Sequence, residues 1–195
     1  MTTMGANTGM DNGDFEFYFA DIFVESVQYG NRTGLCNMIL DIKDLDKTQQ
    51  LQAVYVQAKA AGVAPSDYCR NALKNETPTD PAPRSWTYQY CTEFGFYQVP
   101  AKANPMRPSL LNDSYWVSMC HDVYGVKLNI ERSISEFAGR HTAGSNTVFT
   151  NGAEDPWQWA TELHPNEDIN QVGLMSDCQD CGHCAELYTP KDSDA

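Results

Sequence analysis

Between Phe15 and Tyr29 apolar side chains recur three and four residues apart. Phe15, Phe19, Ile22, Phe23 and Val27 fall on one face, which predicts an amphipathic helix with that stripe turned to the core. Asp14 stands where an N-cap carboxylate would meet the first free amides, and Gly30 stands where a helix can end. Leu35 to Ile42 predicts a short second helix. Asp46-Lys47-Thr48-Gln49 has capping-box spacing and opens a third, rich in Ala and Gln and ended by Gly62. Prolines at 65, 78, 81 and 83 then predict a linker or edge loop. From Trp86 to Gln98 the aromatic and β-branched content predicts extended structure, interrupted at Gly95. After a loop marked by Pro100, Pro105 and Pro108, Asn112 or Asp113 caps a helix to Val123. Trp116, Met119, Cys120 and Val123 form its inner face, and Gly125 follows it. Lys127 to Arg140 fits no single period. Residues 1–13 carry no periodicity and predict a disordered lead.

The pattern changes toward the end of the chain. Val148 and Phe149 form a short apolar run that meets a turn signal, Asn151-Gly152, and then an acid, Asp155. A second run, Val172 to Met175, leads into a loop carrying His183. Two strands that each deliver a polar residue just past a C-terminal end match the way open α/β sheets build sites. Twenty-eight residues separate Asp155 from His183, enough for a crossover and one strand. Pro156 disfavours helical backbone at Asp155 and would hold its carboxylate at the strand edge. An acid ahead of a His is also the chain order of α/β-hydrolases, where a Ser comes first.

Composition narrows the classes. A chain of 195 residues with 42% hydrophobic content can bury a core as one domain or slightly more. A net charge of −13 disfavours nucleic acid and anionic membrane surfaces as partners. The longest apolar runs are shorter than the ~20 residues a bilayer span requires. The N-terminal stretch lacks the basic and apolar regions of a signal peptide. Against that, seven Cys and N-x-S/T sequons at Asn31, Asn75 and Asn112 look secretory. A secretory body without an entry signal predicts a truncated or internally started chain, the alternative being a cytosolic protein with reduced thiols.

Three blocks carry a family resemblance: R-S-W-T-Y-Q-Y-C-T-E-F-G-F-Y-Q at Arg84 to Gln98, N-G-A-E-D-P-W at Asn151 to Trp157, and G-H-C-A-E-L-Y-T-P at Gly182 to Pro190. Their order and wording resemble the C-terminal part of the lysosomal Pro-X carboxypeptidase and dipeptidyl peptidase II family, to which the thymus-specific serine protease belongs. Behind the disordered lead over 1–13, the resemblance implies an α/β fold: helices of an inserted helical lid over 14–83, and the C-terminal portion of an α/β-hydrolase sheet over 84–195. It implies that Asp155 and His183 are the relay acid and general base of a serine exopeptidase cleaving next to proline, and that Trp157 lines the pocket for the proline ring. It also implies a lysosomal or secreted location and a proline-containing peptide substrate. No G-x-S-x-G elbow occurs in this sequence, and Ser145 sits in A-G-S-N-T. The chain therefore reads as the rear of a larger enzyme, without its nucleophile and without the closing helix. Its partner would be an upstream segment or a second copy. The other functional class is a truncated or degenerate non-catalytic relative that works as a binding module.

The cysteines admit more than one chemistry. Cys178, Cys181 and Cys184 form C-x-x-C-x-x-C with His183 inside, which has the donor types of a Cys₃His zinc site. The ligands would all lie within seven residues, and adjacent His183 and Cys184 are poorly disposed to face one tetrahedral centre. Disulfides are the preferred reading, with Cys36, Cys69, Cys91 and Cys120 as available partners and no metal or cofactor required. An odd count leaves a thiol over. Cys184 beside His183 makes no dyad, because neighbouring loop side chains diverge. His121, His141 and His164 read as surface or capping residues.

Overall fold

A computed structural model describes residues 2–6, 9–128 and 130–187. It is a largely helical chain with one small parallel sheet among the described residues, and it divides into two compact units: Met1–Ile22 with Asp44–Glu136, and Phe23–Lys43 with Phe137–Ala195. Helix α1 (Asn12–Gln28) contributes to both.

Helix α1 is opened by Asp11, whose Oδ1 accepts the Gly13 N–H at 2.8 Å while its carbonyl accepts the Phe15 N–H at 2.9 Å. Asp14, expected as the cap, lies inside the first turn and is fully buried. The deepest positions are Asp14, Tyr18, Ile22 and Ser26, flanked by Phe17 and Asp21, whereas Phe15, Phe19, Phe23 and Val27 are half-buried. The stripe is rotated from the one that apolar spacing predicts, and its first member, Asp14, is a carboxylate satisfied by tertiary partners.

In the first unit the main partner, Arg70, comes from the segment expected to be a linker. Helix α4 (Arg70–Leu73) follows α2 (Arg32–Ile42) and α3 (Lys47–Ala60) in chain order. The Arg70 backbone N–H donates to Asp14 Oδ2 at 2.8 Å, and the Arg70 Nε–H to Oδ1 at 3.0 Å. The Tyr115 hydroxyl donates to the same Oδ1 at 3.0 Å, and Arg70 reaches on to Asp122 at 2.9 Å. A buried charge is tolerated only when paired and hydrogen-bonded, and here four donors and acceptors close on one another. Helix α3 has the predicted capping box: Asp46 accepts the Thr48 and Gln49 amides at 2.9 Å, and Gln49 returns to the Asp46 N–H.

The expectation of extended structure from Trp86 to Gln98 is corrected. Helix α5 (Ala82–Gln89) continues into a wide helical turn over Tyr90–Phe94. Asp80 accepts the Ala82 N–H at 2.9 Å at its start. Trp86, Tyr90 and Phe94 are spaced four residues apart, and the Trp86 ring packs against those of Tyr90 and Phe94 at 6.3 and 6.1 Å. Their β-propensity yields to that helical spacing, because strand propensity measures fit to a pleated surface that is absent here. Cys91 is joined to Cys120 of α6 (Asp113–Tyr124), which Asn112 caps and Gly125 ends, as predicted. Trp116 of α6 is the hub of the unit's core, with Phe17, Tyr90, Tyr97 and Tyr115 ring centroids 4.9 to 5.6 Å away. Ile130–Phe137 forms helix α7 in the stretch of undecided period. Thr2–Met4 makes a short turn with Met4 buried. Residues 1, 7 and 8 of the predicted lead lie outside the described residues, as do Tyr188, Thr189 and Pro190 of the third block.

The second unit holds the sheet. β1 (Thr147–Gly152) and β2 (Gln171–Ser176) pair in parallel from Thr147↔Gln171 to Gly152↔Ser176. Asn151 and Gly152, expected as a turn, are the last paired residues of β1, and the turn falls on Ala153 and Glu154. The crossover runs through single turns at Pro156–Ala160 and Glu167–Ile169 in place of a long helix. Buried Gln171 closes the start of the sheet by donating through Nε2 to the carbonyls of Thr142 and Gly144 at 2.9 and 2.7 Å. Val148, Val172, Leu174 and Met175 are exposed, although parallel sheets are ordinarily covered on both faces. No helix among the described residues is long and apolar enough to cross a membrane.

Two outcomes test the first unit. Asp14→Ala takes the main partner from the half-buried Arg70 and the acceptor from the Tyr115 hydroxyl, and should lower the urea-unfolding free energy by about 3 kcal/mol. Burial raises the Asp21 carboxyl from 3.8 to about 6, against the opposing Arg107 charge. The folded state therefore holds a proton that the unfolded state has shed between those values. This contribution is fully present below the unfolded pKa and is lost as pH rises through about 6. Thermal unfolding of wild type should show that decline, and Asp21→Asn should flatten it.

Candidate active site

Each half of the site begins where a strand stops. Beyond β1, Asp155 sits in extended backbone, φ −71° and ψ 119°, as expected for a residue before proline. Its Oδ1 accepts the Trp157 N–H at 2.8 Å and so caps the turn Pro156–Ala160. Its Oδ2 lies 2.8 Å from His183 Nδ1. A carboxylate oxygen accepts, so Nδ1 donates, and a neutral ring held this way has its lone pair on Nε2. Asp155 is 5% exposed, whereas the imidazole is 34% exposed. Among the described residues Nε2 has no hydrogen-bond partner. One end of the ring is therefore fixed in a dry environment and the other is open.

The loop that carries His183 is held by backbone contacts. After β2, Cys178 and Cys181 form a disulfide. Asp180 and Cys184 bracket the His with φ of +58° and +55°, a region that costs of order 1–3 kcal/mol per residue and persists only where the surroundings impose it. Here they do. Asp180 Oδ1 accepts the Thr33 N–H and hydroxyl at 3.0 and 3.1 Å, at the start of α2. The Thr33 amide holds the Asp180 carboxyl below its ordinary pKa. The Cys181 carbonyl accepts the Glu154 N–H at 3.1 Å, and the His183 N–H donates to the Gln28 carbonyl at 2.5 Å. A Cβ on Gly182 would strike the Gln28 carbonyl and the Gly30 nitrogen, and one on Gly152 would strike the carbonyls of Cys181 and Gly182. Glycine is required at both because backbones meet there.

Around the pair, Arg32 binds Glu154 through two hydrogen bonds of 2.6 and 2.7 Å, and its guanidinium holds the Glu154 carboxyl below the usual range. The Tyr29 ring meets the imidazole edge-on at 6.3 Å, and the half-buried Trp157 ring is tilted against it at 6.5 Å. Trp157 Nε1 donates to Gln28 Oε1 at 2.8 Å. Cys184 is a free thiol, and burial, with the charges of Glu186 and Asp155, pushes its pKa up, which suppresses the thiolate a nucleophile needs. Two of the three thiols of the Cys₃His alternative are spent in the Cys178–Cys181 bond, and no metal-holding cluster of His, Cys, Asp and Glu occurs among the described residues.

Asp155 and His183, singled out by pattern and resemblance, and Trp157, singled out by resemblance alone, are thus neighbours. Gln28, Arg32, Thr33 and Asp180 were not singled out. The only sequence signal for them is Gly30, which marks a chain reversal beside them.

Residues 21–195 match the Serine carboxypeptidase S28 family, and the chain belongs to that family. Its relatives include a probable serine protease of Arabidopsis thaliana, 29% identical over 90% of this chain and 37% of that protein. The human thymus-specific serine protease is 36% identical over 57% of this chain and 22% of its own length. A probable extracellular serine carboxypeptidase of Arthroderma benhamiae is 24% identical over 46% of this chain and 13% of its own. The chain thus spans well under half the length of these relatives. No solved structure matches it.

The geometry makes a spectroscopic prediction. Nitrogen-15 NMR of the chain should show His183 as the Nδ1–H tautomer. Asp155→Ala should move it toward the Nε2–H form that free imidazoles favour. An unchanged tautomer would mean that the 2.8 Å contact does not orient the ring.

Proposed function

We propose that this chain supplies the relay acid, Asp155, and the general base, His183, of a serine exopeptidase that cleaves next to proline. What carries the reading is the 2.8 Å contact between Asp155 Oδ2 and His183 Nδ1, just past two parallel strands, in a member of the Serine carboxypeptidase S28 family. In the proposed reaction a Ser hydroxyl loses its proton to His183 Nε2 as Oγ bonds to the substrate carbonyl carbon. Asp155 keeps the ring oriented and steadies its charge. Collapse of the tetrahedral adduct breaks the C–N bond, and the amine leaves with the proton from Nε2. Water then attacks the acyl-enzyme by the same route and regenerates the Ser. The Ser and the oxyanion donors are proposed to lie outside this sequence, which has no G-x-S-x-G. Trp157 would offer a flat apolar wall to the proline ring.

The same reading takes the sheet as the C-terminal portion of an α/β-hydrolase sheet and the earlier helices as part of a lid. The exposed Val148, Val172, Leu174 and Met175 favour it, since a longer polypeptide or a second copy would cover them. Exposed apolar strands equally favour the second reading, a non-catalytic binding module. A secreted or lysosomal location draws support from the Cys91–Cys120 disulfide, which suits an oxidising compartment, and from the extracellular relative.

A fluorophosphonate probe should leave the 195-residue chain unlabelled, and robust labelling would place the nucleophile inside it. In an active longer protein containing this sequence, His183→Ala should lower kcat by roughly a thousandfold or more, while Cys184→Ala keeps most activity. Equal losses from the two variants would overturn the assignment of the base.

A further inference from the structure

Helix α1 ends in a defined way. The Asn31 N–H returns to the Ser26 carbonyl at 2.9 Å and the Gly30 N–H to the Val27 carbonyl at 3.1 Å, with Gly30 at φ +73°. This paired closure satisfies two of the carbonyls that every helix leaves free at its C-terminus. The Tyr29 N–H takes the Glu25 carbonyl at 3.0 Å. The closure leaves the Gln28 carbonyl over, and the His183 N–H takes it. The Gln28 side chain, buried with its residue 6% exposed, turns the other way, and its Oε1 accepts the Trp157 indole N–H at 2.8 Å.

One residue thus holds both loops of the site, the His loop through its backbone and the Asp loop through its side chain. We propose that Gln28 is a positioning residue: by anchoring on Trp157 it locks the carbonyl that sets where His183 stands relative to Asp155. This rests on the reading of Asp155 and His183 as the relay pair. The turns on either side form without Gln28, since Asp155 already caps the Trp157 amide and the Cys178–Cys181 bond closes the turn ahead of His183. What Gln28 adds is the tie between them. Arg32–Glu154 and Thr33–Asp180, a few residues further on, repeat the tie at the outer edge.

The test replaces the acceptor and keeps the volume. In the full chain Gln28→Met should speed hydrogen exchange of the Trp157 indole N–H and of the His183 backbone amide by roughly tenfold. It should also broaden or shift the His183 Nδ1–H resonance. Gln28→Glu keeps an acceptor oxygen and should restore both signals. Trp157→Phe, which deletes the donor, should perturb His183 as Gln28→Met does. Wild-type exchange and an unchanged His183 resonance in a folded Gln28→Met protein would overturn the proposal. If that variant does not fold, an unchanged His183 resonance in Trp157→Phe overturns it instead. Failure of the relay reading is seen separately, as a His183 resonance that ignores Asp155→Ala while still responding to Gln28→Met.

Discussion

The contact on which the site depends is between two backbone groups, the amide of His183 and the carbonyl of Gln28, 2.5 Å apart. It exists because a helix closed at Gly30 leaves one carbonyl unpaired and because Gly182 lets the second strand of chain come within touching distance. Once the His183 backbone is set there, its imidazole points at Asp155, which the end of β1 and the Trp157 amide have already fixed. A Cβ at Gly182 or Gly152 would push apart the backbones that make this possible. The left-handed Asp180 and Cys184 are tolerated for the same reason: the loop is pinned at Thr33, Gln28 and Glu154, and the turn between the pins has few other paths.

The two units use buried carboxylates to opposite ends. In the first, Asp14 is wrapped by Arg70 and Tyr115, and Arg70 passes its remaining donors to Ser118 and Asp122. In that cluster the carboxylate, the guanidinium and the phenol are engaged with one another. In the second, Asp155 gives one oxygen to a backbone amide and the other to an imidazole whose far nitrogen is open. A cluster closed on itself specifies a fold, whereas one left open at a single ring nitrogen of a partly exposed imidazole can move a proton. Burial alone does not separate the two, since both carboxylates are nearly inaccessible.

Much of the local structure could be read along the chain. The capping box at Asp46 and Gln49, the stop at Gly62, the Asn112 cap and the inner face of α6 depend on near neighbours, and they form as the residues predict. The misreadings have a common cause. Asp14 looked like a cap because nothing nearby says that Arg70, far along the chain, will bury it. Trp86, Tyr90 and Phe94 suggest a strand because aromatic residues favour sheets, yet among the described residues the strands pair only with each other, and the spacing serves a helix. Asn151-Gly152 looked like a turn because that dipeptide usually makes one, but pairing with Met175 and Ser176 keeps it extended.

By itself the sequence determined the kinds of side chain available to the site and their order: an acid after one apolar run, an imidazole after the next, and glycines at 30, 152 and 182. It also held the local rules that begin and end most helices, since those rules act over one turn. Only the tertiary structure decided that the acid and the imidazole touch, which nitrogen of the ring is left open, and that Gln28 lies between the loops. Those outcomes depend on backbones far apart in the chain approaching within a hydrogen bond, and a one-dimensional pattern carries no measure of that distance.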